Sequence, residues 1–164
     1  MPNRTVSLSG RPRRLPLRRC SFRFAGRPES VKEARDWLDR RLAMADAPEE
    51  IVRTALLLLS ELATNNVVYA PVDTKARGDF HVRAFFLHGW LRVEVRDAHG
   101  RAPSLRVVTP DATAEGGRGL VLVNAFASRW GRFRSGQGPG MFFELSWELP
   151  QPPAPVVPNP RKGR

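Results

Sequence analysis

Four residues apart, in a run otherwise rich in leucine and alanine, stand a carboxylate and an amide, Glu61 and Asn65. On an α-helix that spacing puts both side chains on one face, about 40° apart around the axis. Such groups are costly to bury unless they are paired or bound to something. A hard cation is one such partner, because Mg²⁺ takes oxygen ligands, keeps several waters and is usually completed by nucleotide phosphates. The side-chain oxygen of Asn65 suits direct ligation, and Glu61 suits holding a water or serving as a base. The same pair, together with Asn66, equally suits capping or hydrogen bonding to neighbouring backbone, and residue type alone does not choose.

Two further segments carry chemistry. Asp97 closes a strand-like stretch, where side chains of α/β folds commonly reach ligands, and a buried carboxylate there could accept the exocyclic amine of adenine. The competing reading is a turn, Asp97-Ala98-His99-Gly100. Glu115-Gly116-Gly117-Arg118-Gly119-Leu120 stands directly before a helical pattern. Glycines let backbone approach a phosphate, a helix N-terminus presents free N–H groups, and Arg118 adds a charged fork. The segment lacks the Lys-Ser/Thr of a P-loop, and a hinge before a helix would look the same. Other chemistries find no support. His81, His88 and His99 have no metal-like spacing with Cys or acids. Ser60 and Thr64 have no base at triad-like spacing. Cys20 is alone, so neither a disulfide framework nor a thiolate metal site is indicated.

The elements that must position these groups follow from periodicity. Residues 19–25 alternate and read as a first strand. Pro28-Glu29-Ser30 opens a helix with an apolar stripe of Val31, Ala34, Trp37, Leu38, Leu42 and Met44. A second, deeply buried helix runs from about Pro48 to Tyr69, and Pro71 forbids its continuation. Residues 80–87 and 90–96 form a hairpin through His88-Gly89. The polar stretch 98–116 is long for a plain connection, which points to a lid or binding loop. A third helix over 117–126 and a closing hairpin, 129–134 and 141–149 across 135–140, complete the order. The pattern predicts an α+β two-layer sandwich: a mixed, mainly antiparallel sheet covered on one face by about three helices.

Charge locates the domain. The chain of 164 residues carries a net charge of +11. Six arginines and no acid stand in residues 1–19, and three basic residues and no acid in 150–164, leaving only +2 for residues 20–149. Prolines punctuate both ends. The expected organisation is a disordered basic tail over 1–18, one domain over 19–149, and a disordered Pro-rich basic tail over 150–164. Nucleic-acid contact is expected only weakly and through those tails. With no apolar run of 18 or more residues and no signal-peptide stretch, the expected setting is cytoplasmic, without a membrane.

Taken in order, Glu61-x-x-x-Asn65, Asp97 and Gly117-x-Gly119 resemble the asparagine box and the first two glycine boxes of the GHKL (Bergerat-fold) ATPase superfamily. The closest likeness is to small bacterial anti-sigma-factor serine/threonine kinases and stand-alone histidine-kinase-like ATP-binding proteins. It covers about residues 20–149, and Gly138-Pro139-Gly140-Met141 looks like a remnant of the last glycine box. The resemblance implies ATP and Mg²⁺ as cofactors, with Glu61 activating the nucleophile, Asn65 ligating the metal and Asp97 reading the adenine amine. It implies that Gly100 belongs to the base pocket and that Gly117, Arg118, Gly119 and Leu120 line the phosphates under a lid of residues 98–116. It implies phosphorylation of an anti-sigma-factor antagonist, a sigma factor as second partner, and a homodimer. Two departures stand out: the first glycine box has its glycine displaced to Gly100, and Met141 replaces the usual Thr of the last. Both favour the alternative, a non-catalytic nucleotide-binding or protein-sequestering module of the same fold.

Overall fold

Apolar residues at every second position of three strands give a sheet with one face to bury, and a leucine-rich helix supplies the cover. The computed structural model describes residues 18–68, 78–103 and 118–149. In chain order these form β1 (Arg18–Phe24), α1 (Glu29–Ala43), α2 (Glu49–Val68), β2 (Phe80–Leu87), β3 (Trp90–Asp97), α3 (Arg118–Phe126), β4 (Arg129–Ser135) and β5 (Gly138–Ser146). The five strands lie in the order β1-β2-β3-β5-β4. Every pairing among them is antiparallel, so the sheet has no parallel strand where a mixed one was expected. For two of the four pairings the reason is local: β2–β3 and β4–β5 are hairpins, and a tight hairpin can only pair its strands antiparallel.

Phe80, Val82, Ala84 and Phe86 of β2, Leu91, Val93 and Val95 of β3, and Met141, Phe143 and Leu145 of β5 are buried on one face of the sheet. Against it pack Ala34, Trp37, Leu38 and Leu42 of α1 and Ala55, Leu58, Leu59, Leu62 and Ala63 of α2. α2 is the central helix, touching α1, α3, β2, β3 and β5. Among the described helices it alone is long and apolar enough, by length and composition, to cross a membrane. Its leucines at 58, 59 and 62 are instead spent on this core, each at most 1% exposed. Burying such a side chain is worth about 1.5–3 kcal/mol, so α2 is held by packing more than by propensity. Acidic Glu49 and Glu50 in its first turn, and Glu29 in that of α1, complement the positive helix ends.

The opposite sheet face is polar. There Arg92 bridges Glu94 (2.9 Å) and Glu144 (2.8 Å) while its guanidinium lies 3.7 Å from the centre of the Phe142 ring.

Element boundaries match the periodicity to within a residue or so except at the end of the chain. β5 begins at Gly138, three residues before the expected strand, and the hairpin turn shrinks to Gly136-Gln137. Pro139 is tolerated in the ladder because β5 pairs with β3 only from Met141 onward, so one side of its backbone has no partner to bond. The first strand takes in Arg18, one residue earlier than the expected domain start. Of the two expected basic tails, over 1–18 and 150–164, all but Arg18 lie outside the described residues.

Candidate functional site

The buried stripe of α2 defines what lies beside it. Stepping 100° per residue places Glu61 and Asn65 on one flank of the stripe made by Leu58, Leu62 and their neighbours, and both are half-buried. Backbone bonding by polar side chains of this helix does occur, but elsewhere: Asn66 Nδ2 donates to Leu62 O (3.0 Å) and Ser60 Oγ to Leu56 O (2.8 Å). Among the described residues, neither Glu61 nor Asn65 has a hydrogen-bond or ion-pair partner. Burial raises the Glu61 carboxyl above the ordinary carboxylate range. The pair is therefore two oxygen-bearing groups on one helix flank, without a protein partner among the described residues. α2 lies against α3 and against β3, so the helix bearing the pair adjoins the two elements that carry the other expected site residues.

The end of β3 is arranged differently. Asp97 is 8% exposed, and its carboxylate is already engaged. Oδ1 accepts the backbone N–H of His99 (2.7 Å) and of Arg101 (3.3 Å), and Oδ2 faces the Arg101 guanidinium at 3.2 Å. The turn reading of Asp97-Ala98-His99-Gly100 is thus realised, with Gly100 at φ +74° closing it. Its neighbour across the site is the last glycine segment. A Cβ on Gly138 would stand 3.1 Å from Gly100 Cα, and one on Gly140 would stand 2.6 Å from Phe133 Cε1 and 2.8 Å from Val95 O. Gly140 fits because Val95 of β3 and the Phe133 ring of β4 leave no room for a side chain, and Gly138 because its φ of +110° and the adjoining Gly100 turn both favour glycine. Arg96 ties the same corner by donating to Gln137 O (2.7 Å). Met141, paired with Val95, is buried on the helix-covered face and offers no hydroxyl.

Residue type and spacing did not single out Asp79, which organises this end of the sheet. Its Oδ1 accepts the Gly26 amide (2.8 Å), its Oδ2 pairs with Arg23 (2.9 Å), and its carbonyl accepts the amide of Ala98, the residue after Asp97 (2.8 Å). Burial alone would raise its pKa, but the Gly26 amide and the Arg23 guanidinium outweigh it and hold the carboxyl below its usual range. The available signal was Gly78-Asp79 at a strand start, with Gly78 at φ +67°.

α3 begins at Arg118, with Gly119 next, as the glycine-to-helix junction required. Leu120 packs half-buried against the core and Val123 is fully buried, which anchors the start of the helix. Gly117 and most of the expected lid, 104–117, lie outside the described residues, and His99, inside it, is exposed. No cluster of three or more His, Cys, Asp or Glu side chains exists among the described residues. The oxygens of Glu61 and Asn65 fit a hard cation whose remaining ligands come from phosphate and water, the usual manner of Mg²⁺; they do not make an all-protein cage.

Comparison with known proteins identifies the family and the fold. The family model described as "Histidine kinase-like ATPase domain" matches residues 24–147. No curated protein matches the chain. Among solved structures, the fold is similar to the crystal structure of the RsbU and RsbW domains of Rv1364c from Mycobacterium tuberculosis, with a TM-score of 0.60 and 16% identity over 81% of this chain. The match spans 33% of that longer chain.

Proposed function

The chain belongs to the histidine kinase-like ATPase domain family, and from that premise we propose that it is an Mg-ATP-binding regulatory protein that phosphorylates serine or threonine on a small partner protein. The observation that carries this reading is the half-buried Glu61–Asn65 pair, without a partner among the described residues, on the helix that adjoins α3 and β3. Asn65 would hold the metal through its side-chain oxygen. Mg²⁺, when bound, supplies charge neutralisation at the phosphates. Asp97 would accept the adenine amine, Gly100 would shape the base pocket, and the amides around Gly117, Arg118, Gly119 and Leu120 would face the phosphates.

In the reaction, the partner's hydroxyl oxygen bonds to the γ-phosphorus, the bond from that phosphorus to the bridging oxygen breaks, and ADP leaves. Glu61 takes the hydroxyl proton and passes it to water. A carboxyl raised by burial is better matched to that task than an exposed one, since its proton affinity lies nearer to neutral pH. Positioning and electrostatics do most of the remaining work in such transfers. The resemblance to small anti-sigma-factor kinases, and a fold shared with a structure that contains an RsbW domain, support an anti-sigma-factor antagonist as acceptor, a sigma factor as second partner, a homodimer and a cytoplasmic setting.

Two measurements test this. Thermal shift with ATP, ADP and GTP, with and without Mg²⁺, should give an adenine-selective, Mg-dependent stabilisation that Asn65→Ala loses. At nucleotide a hundredfold above Kd the wild type gains about 2.7 kcal/mol. With γ-labelled ATP and a panel of antagonist proteins, Glu61→Ala should lower transfer by about 10²–10⁴-fold while nucleotide binding survives. A second reading, a nucleotide-binding or sequestering module without turnover, is favoured by the engaged carboxylate of Asp97. Partner binding without transfer to any antagonist would establish it.

A further inference from the structure

At the opposite end of α1 from its proline start lies a groove of about 600 Å³, lined by Arg18, Arg19 and Cys20 of β1, Phe86 of β2, and Arg40, Arg41, Met44 and Ala45 at the close of α1. Its size falls within the range of about 300–1,000 Å³ typical of ligand sites. Its lining combines an apolar floor with four arginines and contains no carboxylate. Two of the arginines are anchored by carbonyls of α1 and of the residue that follows it. Arg41 donates to Trp37 O (2.8 Å) and stacks 4.1 Å from the Trp37 ring, and Arg18 reaches Met44 O at 3.4 Å. The other two, Arg19 and Arg40, have no hydrogen bond or ion pair among the described residues and are exposed. The helix dipole accounts for basic residues in the last turn of α1. It does not account for two more from a strand, nor for Met44, 72% exposed beside them.

We propose that this corner is a docking groove for an acidic, extended segment of a partner protein. Charge fixes the sign of the occupant. Residues 1–17 and 150–164 are basic and hold no acid, so neither end of the chain complements the groove. A second copy meeting here through β1 would set Arg18, Arg19 and Arg23 against their own counterparts. An extended shape follows from β1 being the edge of the sheet, paired among the described residues only with β2, so that an added strand can bond its outer backbone groups. Alternation then places an apolar side chain of the guest over Phe86 and Met44 and acidic ones between the arginines. This site stands apart from the nucleotide reading and does not rest on it.

The test uses the full chain and a fluorescein-labelled peptide, Asp-Glu-Phe-Glu-Val-Glu-Asp, followed by anisotropy at two salt concentrations. Cys20, the one cysteine of the chain, reports occupancy through its rate of reaction with a disulfide reagent. Binding should weaken with salt, slow the Cys20 reaction, and fall at least about tenfold in Arg19→Glu/Arg40→Glu. Arg53→Glu, on an exposed part of α2 outside the groove, should leave it unchanged. Both changes are at exposed positions, and an unaltered circular dichroism spectrum confirms the fold. The proposal is overturned by any of three results: peptide binding that is absent, peptide binding equal in the double variant, or tighter arginine-dependent binding of anionic vesicles or a single-stranded oligonucleotide than of the peptide.

Discussion

The two halves of the candidate site have been solved by opposite means. On α2, Glu61 and Asn65 are held by a helix locked into the core, yet their own polar atoms have no protein partner among the described residues. At the end of β3, Asp97 is more deeply buried and its carboxylate is engaged from within, by two turn amides and one guanidinium. A buried polar group without a partner costs free energy that a ligand can recover, so the helical half is poised to gain on binding. The strand-end half must exchange one partner for another, and gains less. Metal and phosphate affinity should therefore dominate, with base selectivity the weaker discriminator.

The largest effect expected from probing this contrast concerns the rigidity of the strand-end half. Gly140→Ala inserts a methyl 2.6 Å from Phe133 Cε1 and 2.8 Å from the carbonyl oxygen of Val95. The carbonyl belongs to β3, which is paired on both sides and cannot yield. Overpacking of this kind costs about 1–3 kcal/mol, read as a lowered urea midpoint with unchanged slope. The same change should weaken discrimination between ATP and GTP more than it weakens Mg-dependent binding of either. Equal losses in both would erase the division between the halves.

A smaller effect should come from Arg101→Ala. The Arg101 guanidinium stands 3.2 Å from Asp97 Oδ2, where an incoming adenine amine would have to bond, and its Nε is buried without a partner. A partly exposed ion pair is worth about 0–1 kcal/mol, so freeing the carboxylate should tighten ATP binding by at most about fivefold, and GTP binding not at all. Weaker ATP binding in this variant would mean that Arg101 assists the nucleotide instead of competing with it, and the comparison would then need to be redrawn.

This division also explains what could be read from residue order. The strands, the three helices and the helical pair were legible because periods of 2 and 3.6 report burial directly, and α2 needs nothing else to place Glu61 beside Asn65. The strand-end half was less so. Gly138 and Pro139 look like breakers in a list of residues, but they are strand members because β5 lacks a second neighbour at that point. Asp79 was invisible for a related reason: its three bonds run to Gly26, Arg23 and Ala98, far apart in sequence, and nothing local marks them. The capture of Asp97 by Arg101 was within reach, since the two stand four apart, but that spacing had been read only for the turn it makes. The groove at Cys20 required β1, β2 and the end of α1 to meet, which no single segment announces.

The smallest effect is on stability, and it has a definite sign. Burial raises the folded-state pKa of Glu61, so its contribution to stability is fully present below the ordinary carboxylate range and is lost as pH rises through the raised value. Asp79 works in the other direction: held low by the Gly26 amide and Arg23 against its burial, it stabilises at neutral pH and ceases to do so in acid. Wild type alone shows the sum of the two. Glu61→Gln removes only the first, since the amide keeps the shape and does not ionise. The difference in Tm between Glu61→Gln and wild type should be near zero at the acid end and grow in favour of the variant toward pH 7, remaining small because Glu61 is only half-buried and water screens it. At the same pH the variant should have lost transfer. A more stable, inactive protein is the mark of a carboxylate kept in place for its chemistry; a variant less stable than wild type at pH 7 would mean that Glu61 has a structural partner after all, and the helical half would be no more open than the strand end.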